Sequence, residues 1–332
     1  MRIGLTYDLK SDHPPTADLP DDHQEEYDSP ATVEAIAGVL RRRGHEPLLL
    51  GDGPDLLRRL LDDPPDFVFN FAEGLGTSRS REARVPAVLE MLGIPFTGSD
   101  PLTLAATLDK DCARRLVQSH GGRVPAGELF LPDADLAAVR ARPSLPHTLI
   151  VKPAWEGSSK GIRGKCVVDS PAELAEALEA RRDQGQPLLA EEFIPGEELT
   201  VGVLGNDPPR VIGILRVVPL YDAPRFVYSL EVKRDYEQHV RYECPPQLPE
   251  AHLRATEEAA LLAYRALGCR DIARIDFRLR DGVPYFLEAN PLPGLNPLTS
   301  DLVILARLSG VDHDALIGGI LDAALRRQGL TG

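Results

Sequence analysis

A chain of 332 residues, 43% of them hydrophobic, is long enough for about two domains, each with its own core, and for a cleft between them. Its formal charge of −14 excludes the basic footprint that nucleic acid or an anionic membrane requires, and no run approaches the ~18 apolar residues of a membrane span. The cysteines, Cys112, Cys166, Cys244 and Cys269, are scattered without a C-x-x-C pair, so neither a zinc site nor a disulfide framework is expected, and a reducing cytoplasm fits best.

The chain opens on a strand pattern, "RIGLTY" (2–7), with no apolar stretch or cleavage site of the kind that marks a signal peptide. A long acidic loop comes next at 12–30, open to a reading as a substrate lid or as plain solvated surface. Then come a helix at 32–44, strands at 47–50 and 66–71, and a helix at 81–93, the alternation of a parallel α/β layer. From 101 to 190 a smaller unit is expected: a helix running through Asp109 and Lys110, a strand at 148–153, a Gly/Ser loop, a strand at 165–168 and a helix at 171–182. The last unit, 191–332, holds several strands, a long helix at 250–268, two more strands and two terminal helices. The expected class is mixed α/β in three units, 1–100, 101–190 and 191–332, with no internal repeat.

Two stretches carry chemistry. In "TLIVKPAWEGSSKGI" (148–162), Lys152 ends an apolar strand, and the turn from Glu156 through Gly157, Ser158 and Ser159 to Gly161 offers backbone N–H groups to phosphate oxygens. The same turn matches G-x-S-x-G, but the chain continues into a second strand rather than the helix that a nucleophile elbow needs. Neither a Walker A nor a G-x-G-x-x-G spacing is present. In "CRDIARIDFRLRDGVPYFLEANP" (269–291), two strands turn at Asp281-Gly282, and a period of two puts Arg274 and Asp276 on one face of the first and Glu288 and Asn290 on one face of the second. Asp276, Glu288 and Asn290 are hard oxygen donors of the kind Mg²⁺ prefers beside phosphates, with Mn²⁺ a substitute. Arg274 beside them is placed to neutralise a developing oxyanion. An exposed sheet face closed by salt bridges is the competing reading.

With "GIPFTGSDPLTLAATLDK", "AEEFIPGEELTVGVLG", "RIDFR" and "LEANPLPGLNP" in order around these two stretches, the chain from about 66 to 325 resembles the ATP-grasp superfamily, and within it the D-alanine–D-alanine ligase branch. The resemblance implies three domains, with ATP between the central and C-terminal ones. It implies that Lys110, Lys152 and the 156–161 loop hold the phosphates, that Glu191, Glu192, Phe193 and Ile194 line the adenine pocket, and that Glu198 takes the ribose hydroxyls. It further implies two Mg²⁺ ions on Asp276, Glu288 and Asn290, Arg274 and Gly294 at the reacting centre, Lys233 on a loop (221–245) that closes over the γ-phosphate, and a homodimer. The implied activity joins a carboxylate to an amine, both amino-acid-like, through an acyl phosphate. A non-amino-acid carboxylate and a silent nucleotide-binding module are the alternatives.

Departures from the branch concentrate where substrates would sit. No Gly-Gly-x-Ser-x-Glu succeeds the first strand, which leaves Asp8, Glu25, Glu26 or Asp28 as candidate anchors for an amino group. Ser158 matches the serine of the serine–tyrosine pair that positions the first loop, but Arg234 stands about where the tyrosine belongs. Glu73, Arg79, Arg81 and Glu82 replace the usual motif at 70–86 and suggest a substrate more polar than alanine, with an extra carboxylate. Thr299 or Ser300 is expected at the second substrate's carboxylate.

Overall fold

The computed structural model describes every residue except 13, 15–20, 158–159, 162–165 and 331–332. Ser158 and Ser159, singled out above, therefore lie outside the described residues. Three sheets organise the chain. The first takes β1 (Arg2–Thr6), α1 (Pro30–Arg42), β2 (Glu46–Leu49), α2 (Gly53–Asp62), β3 (Phe67–Asn70) and α3 (Arg84–Leu92). Its strands run parallel in the order β2-β1-β3, with Ile3 opposite both Pro47 and Phe67. The α2 helix, with Pro54 in its first turn, is not among the elements expected from the sequence. Its Leu56 and Leu60 lie one helical turn apart and are both buried.

α4 (Pro101–Leu108) and α5 (Lys110–Ser119) replace the single helix expected here. The break is Asp109, whose backbone is extended and whose carboxylate accepts from Cys112 N at 3.0 Å, capping α5. Lys110 becomes the first residue of α5, and its own N–H donates to Ala154 O at 3.0 Å. The second sheet comprises β4 (Gly127–Phe130), β5 (Leu149–Pro153), β6 (Val167–Val168) and β7 (Leu188–Glu192), with α6 (Leu136–Arg140) and α7 (Pro171–Glu179) beside it. The strand order is β4-β7-β5-β6.

The third sheet is antiparallel and contains β8 (Glu197–Leu204), β9 (Arg210–Pro219), β10 (Val240–Glu243), β11 (Ile272–Arg280) and β12 (Val283–Asn290) in the order β10-β9-β8-β11-β12. α8 (Leu230–Arg234) and α9 (Tyr236–His239) precede β10; α10 (Glu250–Ala266), α11 (Asp301–Leu308) and α12 (His313–Arg327) complete the chain. Alternation on β11 decides what each face does. Ala273, Ile275, Phe277 and Leu279 pack with Leu199, Val201 and Val203 under α5 and α10, and so turn Arg274, Asp276 and Arg278 to the other side. A separate core joins β1, α1 and β3 to β9, α11 and α12 through Ile3, Leu40, Phe69, Leu215, Leu305 and Leu321. The polar face of β11 thus opens into cavities that β5, β7 and the N-terminal segment also line.

Candidate active site

β11 and β12 pair with Arg274 opposite Asn290 and Asp276 opposite Glu288. A bulge after Asp276 keeps this register, so that Phe286 points into the core while Glu288, two residues on, stays beside Asp276. The Arg274 guanidinium ties the face together: Nη2 lies 3.0 Å from Asp276 Oδ2 and 3.5 Å from Glu288 Oε1. Thr200 on β8 donates to Asp276 Oδ1 at 2.8 Å. Asn290 Nδ2 is 3.4 Å from Glu288 Oε1. The sequence-predicted quartet is therefore brought together on one face, with three oxygen-bearing side chains around one cation.

Cations from four elements, α5, β5, α8 and β11, converge on Glu288. Lys110 Nζ lies 3.2 Å from Glu288 Oε2 and also reaches the Glu156 carbonyl. Burial raises the Glu288 pKa, but Lys110, Arg274, Lys152 and Lys233 outweigh it and hold the carboxyl well below its ordinary range. Burial raises Asp276 above its ordinary value, against the opposing pull of Arg274 and with the neighbouring Glu288 adding to it. Two carboxylates and an amide fit a hard divalent cation: the donors are oxygen, they share one face, and the surrounding lysines keep Glu288 ionised.

A cavity separates this face from the second sheet, lined by Lys152, Glu191, Phe193, Ile194, Glu198 and Lys233 among others. Lys152, in β5, sits 2.5 Å from Glu191 Oε1 in β7, and Glu192 pairs with Arg280 at 2.6 Å. Glu198 lies 3.5 Å from Arg278, whose guanidinium stacks 5.2 Å from the Phe193 ring centroid. Arg278 is a residue that sequence reasoning missed, although the same period of two that places Asp276, carried one step further along β11, puts it on this face.

A second cavity adjoins the first and is lined by Asp28, Glu73, Tyr242, Arg274, Gly294 and Thr299 among others. Ser300 reaches it too, and a Cβ on Gly294 would stand 2.8 Å from Ser300 Oγ. Burial and the neighbouring Glu82 raise the Glu73 pKa well above its ordinary value. Tyr228, Lys233 and Asp301 line both cavities.

Arg81 is expected from the sequence to meet substrate, but it is 1% exposed and enclosed by protein. Its guanidinium lies 3.0 Å from both Glu26 oxygens, 2.8 Å from Trp155 O and 3.5 Å from Glu156 Oε2. Glu26 also accepts from Gly157 N at 2.8 Å and Lys160 Nζ at 3.0 Å. Asp22 accepts from Gly161 N at 3.1 Å, and Arg234 grips Glu25 at 2.5 Å and Asp21 at 3.2 Å. Residues 21–26 of the acidic loop thus strap the glycine-rich turn to α8. Arg79 lies elsewhere, on Asp109 at 2.8 Å.

These sheets and their shared cavity define an ATP-grasp enzyme, an ATP-dependent ligase. A family model described as the D-ala D-ala ligase C-terminus matches residues 132–322. The chain is 36% identical over 239 residues, 71% of its length and 69% of the relative's, to the D-alanine–D-alanine ligase of Ralstonia nicotianae. It is 33% identical over 306 residues, 89% of its length and 88% of the relative's, to the uncharacterized protein y4sG of Sinorhizobium fredii. In fold it is similar to the crystal structure of Bacillus anthracis D-alanine–D-alanine ligase complexed with ATP, with a TM-score of 0.73, 23% identity and full coverage of both chains. The chain belongs to the D-alanine–D-alanine ligase family. Among the described residues no helix is long and apolar enough to cross a membrane.

Proposed function

We propose that the protein is a carboxylate–amine ligase that activates an amino-acid-like carboxylate with ATP and passes the acyl group to an amine. The observation that carries this reading is the junction of the two cavities, where Arg274, Asp276 and Glu288 stand on one sheet face with Lys110 and Lys233 beside them.

ATP would lie in the first cavity, its base against Phe193 and Ile194 beside Glu191 and Glu192, its ribose at Glu198, and its phosphates toward Lys152, Lys110 and the 156–161 turn. Asp276, Glu288 and Asn290 would hold Mg²⁺, two ions in the full reading. When bound, the metal supplies positive charge that lowers the cost of phosphoryl transfer. The donor carboxylate attacks the γ-phosphorus and ADP leaves. The amine then forms the C–N bond at the acyl carbon, the C–O bond to phosphate breaks, and inorganic phosphate and a proton are released. Arg274, held in place by Asp276 and Glu288, stabilises the oxyanion of the tetrahedral intermediate. Lys233, in α8 of the 221–245 segment that the sequence reads as a loop but that folds into α8, α9 and β10, would close over the phosphates and keep water from the acyl phosphate. A homodimer and unit limits at about 100 and 190 complete the proposal.

The test supplies Mg-ATP with pooled D- or L-amino acids and measures phosphate release with mass detection of condensed products. A new amide formed only with ATP supports the reading. ATP bound without any condensed product overturns it.

A further inference from the structure

The carboxylate Asp301 does not stand out in the sequence, because at the head of α11 it reads as an ordinary first-turn acid. In the structure it stands at the junction itself. It lines both cavities, is largely buried, and its Oδ2 lies 3.3 Å from Arg274 Nη1 and 3.7 Å from Lys233 Nζ. Tyr228 OH donates to its Oδ1 at 3.5 Å and meets the hydroxyl of Tyr242 at 2.5 Å.

This placement changes what the second cavity offers a ligand. Arg274 presents Nε and Nη2 to Asp276 and Nη2 to Glu288, so Nη1 is the part of the guanidinium turned away from the proposed metal carboxylates. Asp301 takes it. Two other cations on the cavity wall are committed too, Lys233 to Asp301 and Arg234 to Glu25 and Asp21, while Lys10 lines the same cavity from the first sheet's side. Ser300, expected at a substrate carboxylate, accepts from Asn296 N at 2.9 Å, which fixes its oxygen and leaves one O–H to donate. A carboxylate entering beside Arg274 would meet the Asp301 charge at close range, and like charges brought together in a desolvated site repel. An ammonium group meets the opposite field.

We propose that Asp301 sets the acceptor specificity of the ligase: it repels a carboxylate next to the attacking nitrogen and orients the ammonium of an amine that lacks one. The acceptor class is a primary amine, or an amino-acid derivative with its carboxyl capped, in place of a free amino acid. This rests on the ligase reading above and narrows its second substrate.

A competition assay tests it. The holoenzyme with Mg-ATP and the amino-acid pool receives equal concentrations of ¹⁵N-alanine and ¹⁵N-alaninamide of the same handedness, distinguished by mass, and the label in condensed product is counted. Alaninamide is expected to exceed alanine by at least about tenfold. In Asp301→Asn the ratio should move toward alanine by at least about tenfold, while Asp301→Glu should keep the wild-type preference. The ratio is internal to each reaction, so it is read at whatever activity a variant retains. Alanine dominating in the wild type, or a ratio that Asp301→Asn leaves unmoved, overturns the inference alone. Absence of any ATP-dependent condensation overturns the ligase reading beneath it.

Discussion

The Glu26 carboxylate collects Arg81, Lys160 and the Gly157 N–H in a site closed to solvent. Burial opposes its ionisation, and Arg81 with Lys160 outweigh that and hold its pKa below the ordinary value. Without Arg81 the buried Glu26 and Glu156 carboxylates share Lys160 alone among the described cations, so Arg81→Met should cost about 3 kcal/mol or more in a denaturant titration. A loss under about 1 kcal/mol would show that the pair contributes little. Gly157 belongs to the same contact: a Cβ there would lie 2.7 Å from Glu26 Oε1, so even Gly157→Ala must displace the carboxylate. At the other end of the site, Glu288→Gln keeps the shape but removes the charge that four cations address. Metal-dependent turnover should fall by about 100-fold or more while the melting curve holds. Near-normal turnover would sink the metal assignment. Period-two alternation made the Arg274–Asp276–Glu288–Asn290 face legible in the sequence. It did not reveal the Glu26–Arg81 pair, because partners 55 residues apart in different loops leave no local pattern.

Strands and helices that bury their own apolar stripe were legible, as β1, β3, α10 and β11 show. Elements set by one capping contact were less so: a helix pattern runs straight through Asp109, where the side chain ends one helix and begins another. The strap formed by residues 21–26 is the element on which loop coupling turns. Arg234, which stands in place of the expected tyrosine, holds Glu25 and Asp21 and so joins α8, next to Lys233, to the segment that grips Gly157 and Gly161. Its Glu25 contact is at the surface, where charge reversal is safe for folding. Arg234→Glu and Glu25→Arg should each raise the phosphate released per amide formed, because a loosened loop admits water to the acyl phosphate. The double reversal should restore much of the coupling. If the double variant is as leaky as the worse single one, the strap does not act through this pair.

At the scale of the molecule, the unusual quantity is buried acid. Burial and the neighbouring Asp52 push Asp8 up to about 7, burial and Asp8 push Asp28 to about 7, and burial with Glu26, against Arg81, pushes Glu82 to about 8. For a carboxyl raised in the fold, the unfolded chain releases its proton first as pH climbs. Folding stability therefore falls between the unfolded pKa near 4 and the folded one, by about 1.4 kcal/mol for each pH unit that separates the two. Glu26 and Glu288, held low, act in the opposite sense, but their contribution is complete above the ordinary glutamate range and is lost only below it. From about pH 5 to 8 the raised set therefore decides the slope. Tm should be a few degrees higher near pH 5.5 than near pH 8, the reverse of a fold governed by surface salt bridges. Asp8→Asn keeps an acceptor for the Gly74 N–H, which lies 2.9 Å from Asp8 Oδ2, and removes the charge facing Asp52. It should raise Tm at pH 8, leave it nearly unchanged at pH 5.5, and flatten the profile. A profile that rises toward pH 8 in the wild type would mean that Asp8, Asp28 and Glu82 are ionised in the folded protein. Asp28, which lines the second cavity, would then present full negative charge there at neutral pH.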